Sequence, residues 1–215
     1  MIILRPTNLH WIDASVDDPA DLCAHSPVEF RIDDATLINP NAGDWTVSAA
    51  AVYLLRTLSR SHTKEQPVAE HLFPCCGNGM FDVEGDDDVL IIGCNSGIDF
   101  QVVHAGDDVV LTSADQTQYA VTLADWTVVV YQFADEVQAF YAASSAKTPE
   151  DAADRAGFVK LTSEWARRRG IAADPGAASS SLYPYYFPLV EPGADARPLS
   201  TLPAHVVQWF SPRKS

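Results

Sequence analysis

The chain has 215 residues, 29 Asp and Glu against 14 Lys and Arg, a formal net charge of −15, and 47% apolar residues. With five Trp, nine Phe and seven Tyr there is material for a large core, which excludes global disorder. Charge of this sign attracts cationic partners and repels nucleic acid and anionic membranes.

The imbalance is local. From Glu65 to Ala146 there is no Lys or Arg, while the stretch carries about half of the acidic residues. Coding bias also yields Ala- and Asp-rich, Lys-poor chains, and acidic surfaces aid solubility, so charge alone does not define a binding face. The opening Met1-Ile2-Ile3-Leu4-Arg5-Pro6 has too short an apolar run for a signal peptide. No segment approaches the roughly 18 apolar residues of a membrane span. Four cysteines, two of them adjacent (Cys75 and Cys76), do not make a secreted disulfide framework in a chain this long. A cytoplasmic protein with reduced thiols is expected.

Residues 1–43 are short apolar pieces broken by Pro, Asp and Asn. Within them Val28-Glu29-Phe30-Arg31-Ile32 alternates apolar and charged residues, and Asp33-Asp34 can turn the chain into Ala35-Thr36-Leu37-Ile38, giving a hairpin. From Asp44 to about Ser61, Val47, Ala51, Leu54, Leu55 and Leu58 fall on one helical stripe, with Arg56 and Arg60 off it.

Residues 70–123 read as strands. Leu90-Ile91-Ile92 predicts a buried strand; Ile98, Phe100 and Val102 alternate with Asp99, Gln101 and Val103; Ala105-Gly106-Asp107-Asp108 turns the chain back through Val109–Thr112. Tyr119–Thr122 completes an antiparallel meander. Thr122 and Asp125 form a capping-box variant opening a helix to about Ser144, with Trp126, Val129, Val130, Phe133, Val137, Phe140 and Tyr141 on its apolar face. A further helix is predicted from Thr148-Pro149-Glu150-Asp151, with Phe158, Leu161 and Trp165 on its stripe and Arg167-Arg168-Arg169-Gly170 at its end.

Residues 171–215 are Pro-rich and contain Tyr183-Pro184-Tyr185-Tyr186-Phe187-Pro188, which forbids long helices and suits an irregular extension packed back on the domain. The segregation of strands from helices predicts an α+β fold: one domain over 1–170, in which one antiparallel β-meander sheet, built from the 28–38 hairpin and the 80–122 meander, packs against three helices, then the extension over 171–215.

Three groups of residues have chemical potential. His71, Cys75, Cys76 and Cys94 offer thiolate and imidazole to zinc, but adjacent residues of an extended chain point in opposite directions, and no C-x2-4-C knuckle is present. Cys94, in the turn Gly93-Cys94-Asn95-Ser96-Gly97, can act as a nucleophile with His104 as base, the basis of an alternative reading as a small enzyme. Asp99 as the third member has the wrong strand parity relative to His104, which shares a side with Phe100 and Val102. Asp82, Glu84, Asp86, Asp87 and Asp88 fail the EF-hand pattern: Gly85 is fourth from Asp82 and Gly93 twelfth. These five and the turn residues Asp107 and Asp108 are the candidate acidic binding face.

Phosphate-binding loops of the G-x-x-x-x-G-K-[ST] kind, G-x-G-x-x-G and the G-x-S-x-G elbow do not occur. Arg167–Arg169 suit a helix C-terminus without invoking nucleic acid.

Several phrases together carry a resemblance. They are Pro6-Thr7-Asn8-Leu9, Asp17-Asp18-Pro19 with Asp21-Leu22-Cys23-Ala24-His25, Asp44-Trp45-Thr46-Val47-Ser48-Ala49-Ala50, and Pro74-Cys75-Cys76-Gly77. Downstream are Gly93-Cys94-Asn95-Ser96-Gly97-Ile98-Asp99-Phe100, Phe133-Ala134-Asp135-Glu136-Val137-Gln138-Ala139-Phe140-Tyr141, and Glu164-Trp165 with Arg167-Arg168-Arg169. Over about residues 1–170 the chain resembles bacterial cytoplasmic proteins in the style of immunity proteins from contact-dependent or polymorphic toxin systems. The resemblance carries over no established activity and no catalytic residue. Taken together, a non-enzymatic acidic domain that docks a basic protein partner is expected, without cofactor, nucleic acid or membrane.

Overall fold

The computed structural model describes residues 1–77 and 79–170, so the expected extension over 171–215 lies outside the described residues. In chain order the elements are β1 (Ile2–Pro6), β2 (His25–Ser26), β3 (Val28–Ile32), β4 (Ala35–Ile38), β5 (Trp45–Thr46), α1 (Val47–Thr57), β6 (Phe73–Pro74), β7 (Gly79–Phe81) and β8 (Leu90–Ile92). They continue with β9 (Gly97–Ile98), β10 (Gln101–Ala105), β11 (Asp108–Thr112), β12 (Gln118–Thr122), α2 (Leu123–Ala143) and α3 (Ala152–Arg168). The class is α+β, and the described pairings are all antiparallel.

The hairpin and the meander, expected in one sheet, belong to two. Three-stranded sheets run β1-β3-β4 and β10-β11-β12, and three ribbons pair β2-β5, β6-β9 and β7-β8. The hairpin forms as read, with Asp33 in the left-handed region (φ 50°) that a short polar side chain tolerates. Its free edge is taken by β1, from Ile2↔Ile32 to Pro6↔Val28. Arg5 and Pro6 interrupt the apolar run of β1, so its strand character became visible only through this pairing.

α1 is the centre of the core. All of Val47–Thr57 is buried, Arg56 included, so a one-sided stripe describes it poorly. Three Ala in succession let neighbours approach closely: α2 packs on α1 and β1, while α3 packs on α1 and β7. The α2 apolar face is buried as expected at Trp126, Val129, Val130, Phe133, Val137 and Tyr141, and Asp125 N donates to the Thr122 hydroxyl at 3.0 Å. The α3–β7 contact requires glycine, because a Cβ on Gly157 would stand 2.1 Å from the Met80 carbonyl oxygen.

α3 begins later than its sequence suggests. The Asp151 carboxylate caps it, accepting from Ala153 N at 2.8 Å and Asp154 N at 2.9 Å. Thr148 is drawn away instead, its N–H donating to Pro19 O at 2.8 Å, while the neighbouring Lys147 ammonium donates to Asp18 O at 2.9 Å. Phe158, Leu161 and Trp165 are buried as expected.

Candidate functional site

The 82–88 loop joins β7 to β8 and lies against the ends of two helices. Lys160, on α3, pairs with Asp82 at 3.0 Å. Asp88 faces Arg60 at 2.7 Å, Arg167 at 2.8 Å, Arg168 at 2.6 Å and Arg56 at 3.8 Å, and its side chain is only 19% exposed. Burial pushes its carboxyl up, but Arg168 and Arg167 hydrogen bonds and the Arg168 and Arg56 charges prevail and hold it well below its ordinary value. Asp88 is therefore not part of an outward acidic face; it anchors the loop.

Behind it, Glu164 is fully buried. Its carboxylate accepts from Arg56 Nε (2.8 Å), Arg56 Nη2 (2.8 Å), Arg168 Nε (2.6 Å) and Val89 N (2.7 Å). The remaining acids divide. Glu84, Asp86 and Asp87 are exposed on the loop, and Asp86 stabilises its turn by accepting from Asp88 N at 2.9 Å. Asp107 and Asp108 are exposed on a separate turn, where Asp107 O accepts from Leu123 N at the start of α2.

Beside the acidic loop lies an apolar surface that the sequence reading missed. β7 and β8 pair as Gly79↔Ile92, Met80↔Ile91 and Phe81↔Leu90. Period-two alternation sends Met80 and Ile91 toward the core and leaves Phe81, Leu90 and Ile92 outside. These three are 43%, 45% and 54% exposed, and Val83 adjoins them at 41%. Leu90–Ile92 is thus not the buried strand expected from its composition: a ribbon lying on one helix is covered on one face only. Alternation of Phe81 and Val83 with Asp82 and Glu84 was the available signal.

The cysteines lie at the other end of β8. Cys23 is buried, and burial pushes its thiol up to about 12. Cys75 and Cys94 are exposed and Cys76 is partly so. Cys94 N donates to Cys76 Sγ at 3.0 Å, and the paired backbones nearly touch: a Cβ on Gly93 would stand 1.8 Å from Cys76 O. His71, Cys76 and Cys94 also line a cleft of about 190 Å³ with Tyr53 and Arg56. Among the described residues no group of three or more His, Cys, Asp or Glu is arranged to hold a metal ion, so His71, Cys75, Cys76 and Cys94 do not assemble the zinc site weighed above.

The Cys94–His104–Asp99 arrangement does not assemble either. His104 Nε2 donates to Thr57 O at 2.8 Å, at the end of α1, which is the strand-end role its parity suggested. Asp99 instead accepts from His62 Nε2 at 3.0 Å and from Leu72 N at 3.0 Å. Val68 N donates to His62 Nδ1 at 3.1 Å, which leaves the ring proton on Nε2. The buried His62 and the partly exposed Asp99 together clamp the 62–72 segment, with both ring nitrogens engaged.

Comparison with known protein families, curated proteins and solved structures finds no match to this chain. Among the described residues no helix is long and apolar enough to cross a membrane. The β7–β8 ribbon joins apolar area to exposed carboxylates on one short segment, an arrangement suited to holding a protein surface of opposite charge.

Proposed function

We propose that this chain is a non-enzymatic protein-binding domain that docks a basic protein partner through the β7–β8 ribbon and its acidic loop. The observation that carries the reading is the outward face of Phe81, Leu90 and Ile92 beside Glu84, Asp86 and Asp87. Apolar anchors supply most of the affinity of such surfaces, while charges at the rim speed association and select the partner. The net charge of −15 weighs against nucleic acid or an anionic membrane as the partner. In its most specific form, which rests only on the resemblance drawn from the sequence, the domain is an immunity-type protein and its partner a toxin. Four free cysteines support a reducing, cytoplasmic setting.

Two full-length variants test the surface, Asp86→Lys with Asp87→Lys, and Leu90→Ser with Ile92→Ser. Asp88 stays unaltered, since its loss would release the end of α3. Immobilised wild-type protein is expected to retain a protein of net positive charge, identified by mass spectrometry, to release it as salt rises, and to lose it in both variants. Equal retention by wild type and variants, an acidic partner, or retention of nothing but further copies of the chain would overturn the proposal.

A further inference from the structure

We propose that Cys94 and Cys76 form a peroxide-reactive dithiol that closes to a disulfide between the β8–β9 turn and the segment following β6. The geometry rests on backbone pairing. β6 and β9 run antiparallel with Phe73 opposite Ile98 and Pro74 opposite Gly97, and Cys75 N donates to Ser96 O at 2.9 Å. This register continues into the close approach of Gly93 to Cys76, where only a glycine fits. Cys94 N consequently lies 3.0 Å from Cys76 Sγ, and both thiols reach solvent.

The two sulfurs are unlike in a useful direction. Hydrogen bonds from the Cys76 thiol, and then from the Ser96 backbone, lower the Cys94 thiol below its ordinary value. The same bond raises Cys76, and Cys75 is raised by burial and by Cys94. Cys94 is therefore assigned as the attacking sulfur and Cys76 as the resolving thiol beside it. The Cys94 thiolate attacks a hydroperoxide oxygen; the O–O bond breaks, the peroxide is reduced to water or alcohol, and Cys94 becomes a sulfenic acid. Cys76 sulfur then attacks Cys94 sulfur; the S–S bond forms, the S–O bond breaks, and the departing hydroxide leaves as water with the Cys76 proton. Thiol reductants reverse the linkage, the behaviour expected of a sensing disulfide in a reducing compartment. Oxidation fastens the chain just past the C-terminal end of β8, two residues beyond the exposed Ile92.

The test treats reduced full-length protein with hydrogen peroxide, blocks free thiols and maps peptides without reduction. Trypsin leaves Cys75, Cys76 and Cys94 on one peptide, because Glu65–Ala146 lacks Lys and Arg, so cleavage at Asp is used instead. The expected product is a Cys76–Cys94 linkage, two hydrogens lighter and restored by dithiothreitol. It persists in Cys75→Ser; in Cys76→Ser it is lost, Cys94 proceeds to sulfinic acid, and Cys94 alkylation at neutral pH slows. Both variants change partly or fully exposed thiols, and circular dichroism checks their folding. A Cys75–Cys94 linkage, a disulfide between chains only, or sulfinic acid at Cys94 in the wild-type protein without linkage would overturn the proposal.

Discussion

Glu164 shows how much one side chain can organise. It is buried with Arg56 beneath the acidic loop and satisfies two arginines and the Val89 amide at once. A buried pair of this kind adds little or no net stability against an apolar alternative, but breaking it strands a desolvated charge. Glu164→Gln is expected to destabilise the fold by about 3–5 kcal/mol in urea denaturation, because Arg56 keeps its charge and loses the nearer and fully buried of its two carboxylates. A loss below about 1 kcal/mol would mean that Arg56 reaches water when unpaired. Nothing in the sequence singled out Glu164 or Arg56 for this role. They are 108 positions apart, and Arg56 read as an exposed helix-end cation until tertiary packing enclosed it.

Helices were the most legible elements, because their signals are local. The Thr122 cap, the apolar face of α2 and the stripe of α3 all follow from spacing within a few turns. The start of α3 depended instead on a tertiary competition, since Pro19 takes the Thr148 amide and leaves Asp151 to cap. Asp151→Ala is accordingly expected to cost about 1 kcal/mol in urea denaturation, whereas Thr148→Ala costs little through capping. The reverse ranking would restore the earlier start. Strands were legible where alternation marked a half-buried face, as in Val28–Ile32. Leu90–Ile92 failed that test, for three apolar residues in a row do not reveal which face is covered. The apolar part of the candidate site was lost with it, while its acidic part stood in the sequence.

At the scale of the whole molecule, folding redistributes charge. The stretch without Lys or Arg is one-signed along the chain but not in space. Arg56 and Arg60 from one side of it in sequence, and Lys160 and Arg167–Arg169 from the other, meet Asp82, Asp88 and Asp135. Asp88 therefore couples stability to pH. Its carboxyl titrates lower folded than unfolded, so the stabilisation is fully present above the ordinary carboxylate range near pH 4 and is lost as pH falls below it. Asp88→Asn should lower the thermal midpoint at neutral pH and flatten its decline between about pH 5 and pH 2. An unchanged acid limb would assign that decline to other carboxylates.

The sequence by itself determined the α+β class, the three helices, the 28–38 hairpin and the excess of acid, because each is written in propensities and periods a few residues long. Tertiary structure decided which acids face outward, which face of β8 is covered, and which thiols meet. Asp88 and Arg167, or Cys76 and Cys94, become neighbours only through sheet register and helix packing across the core. Charge and sulfur are counted along a chain, but attraction and reactivity depend on distance, and distance is set by the fold.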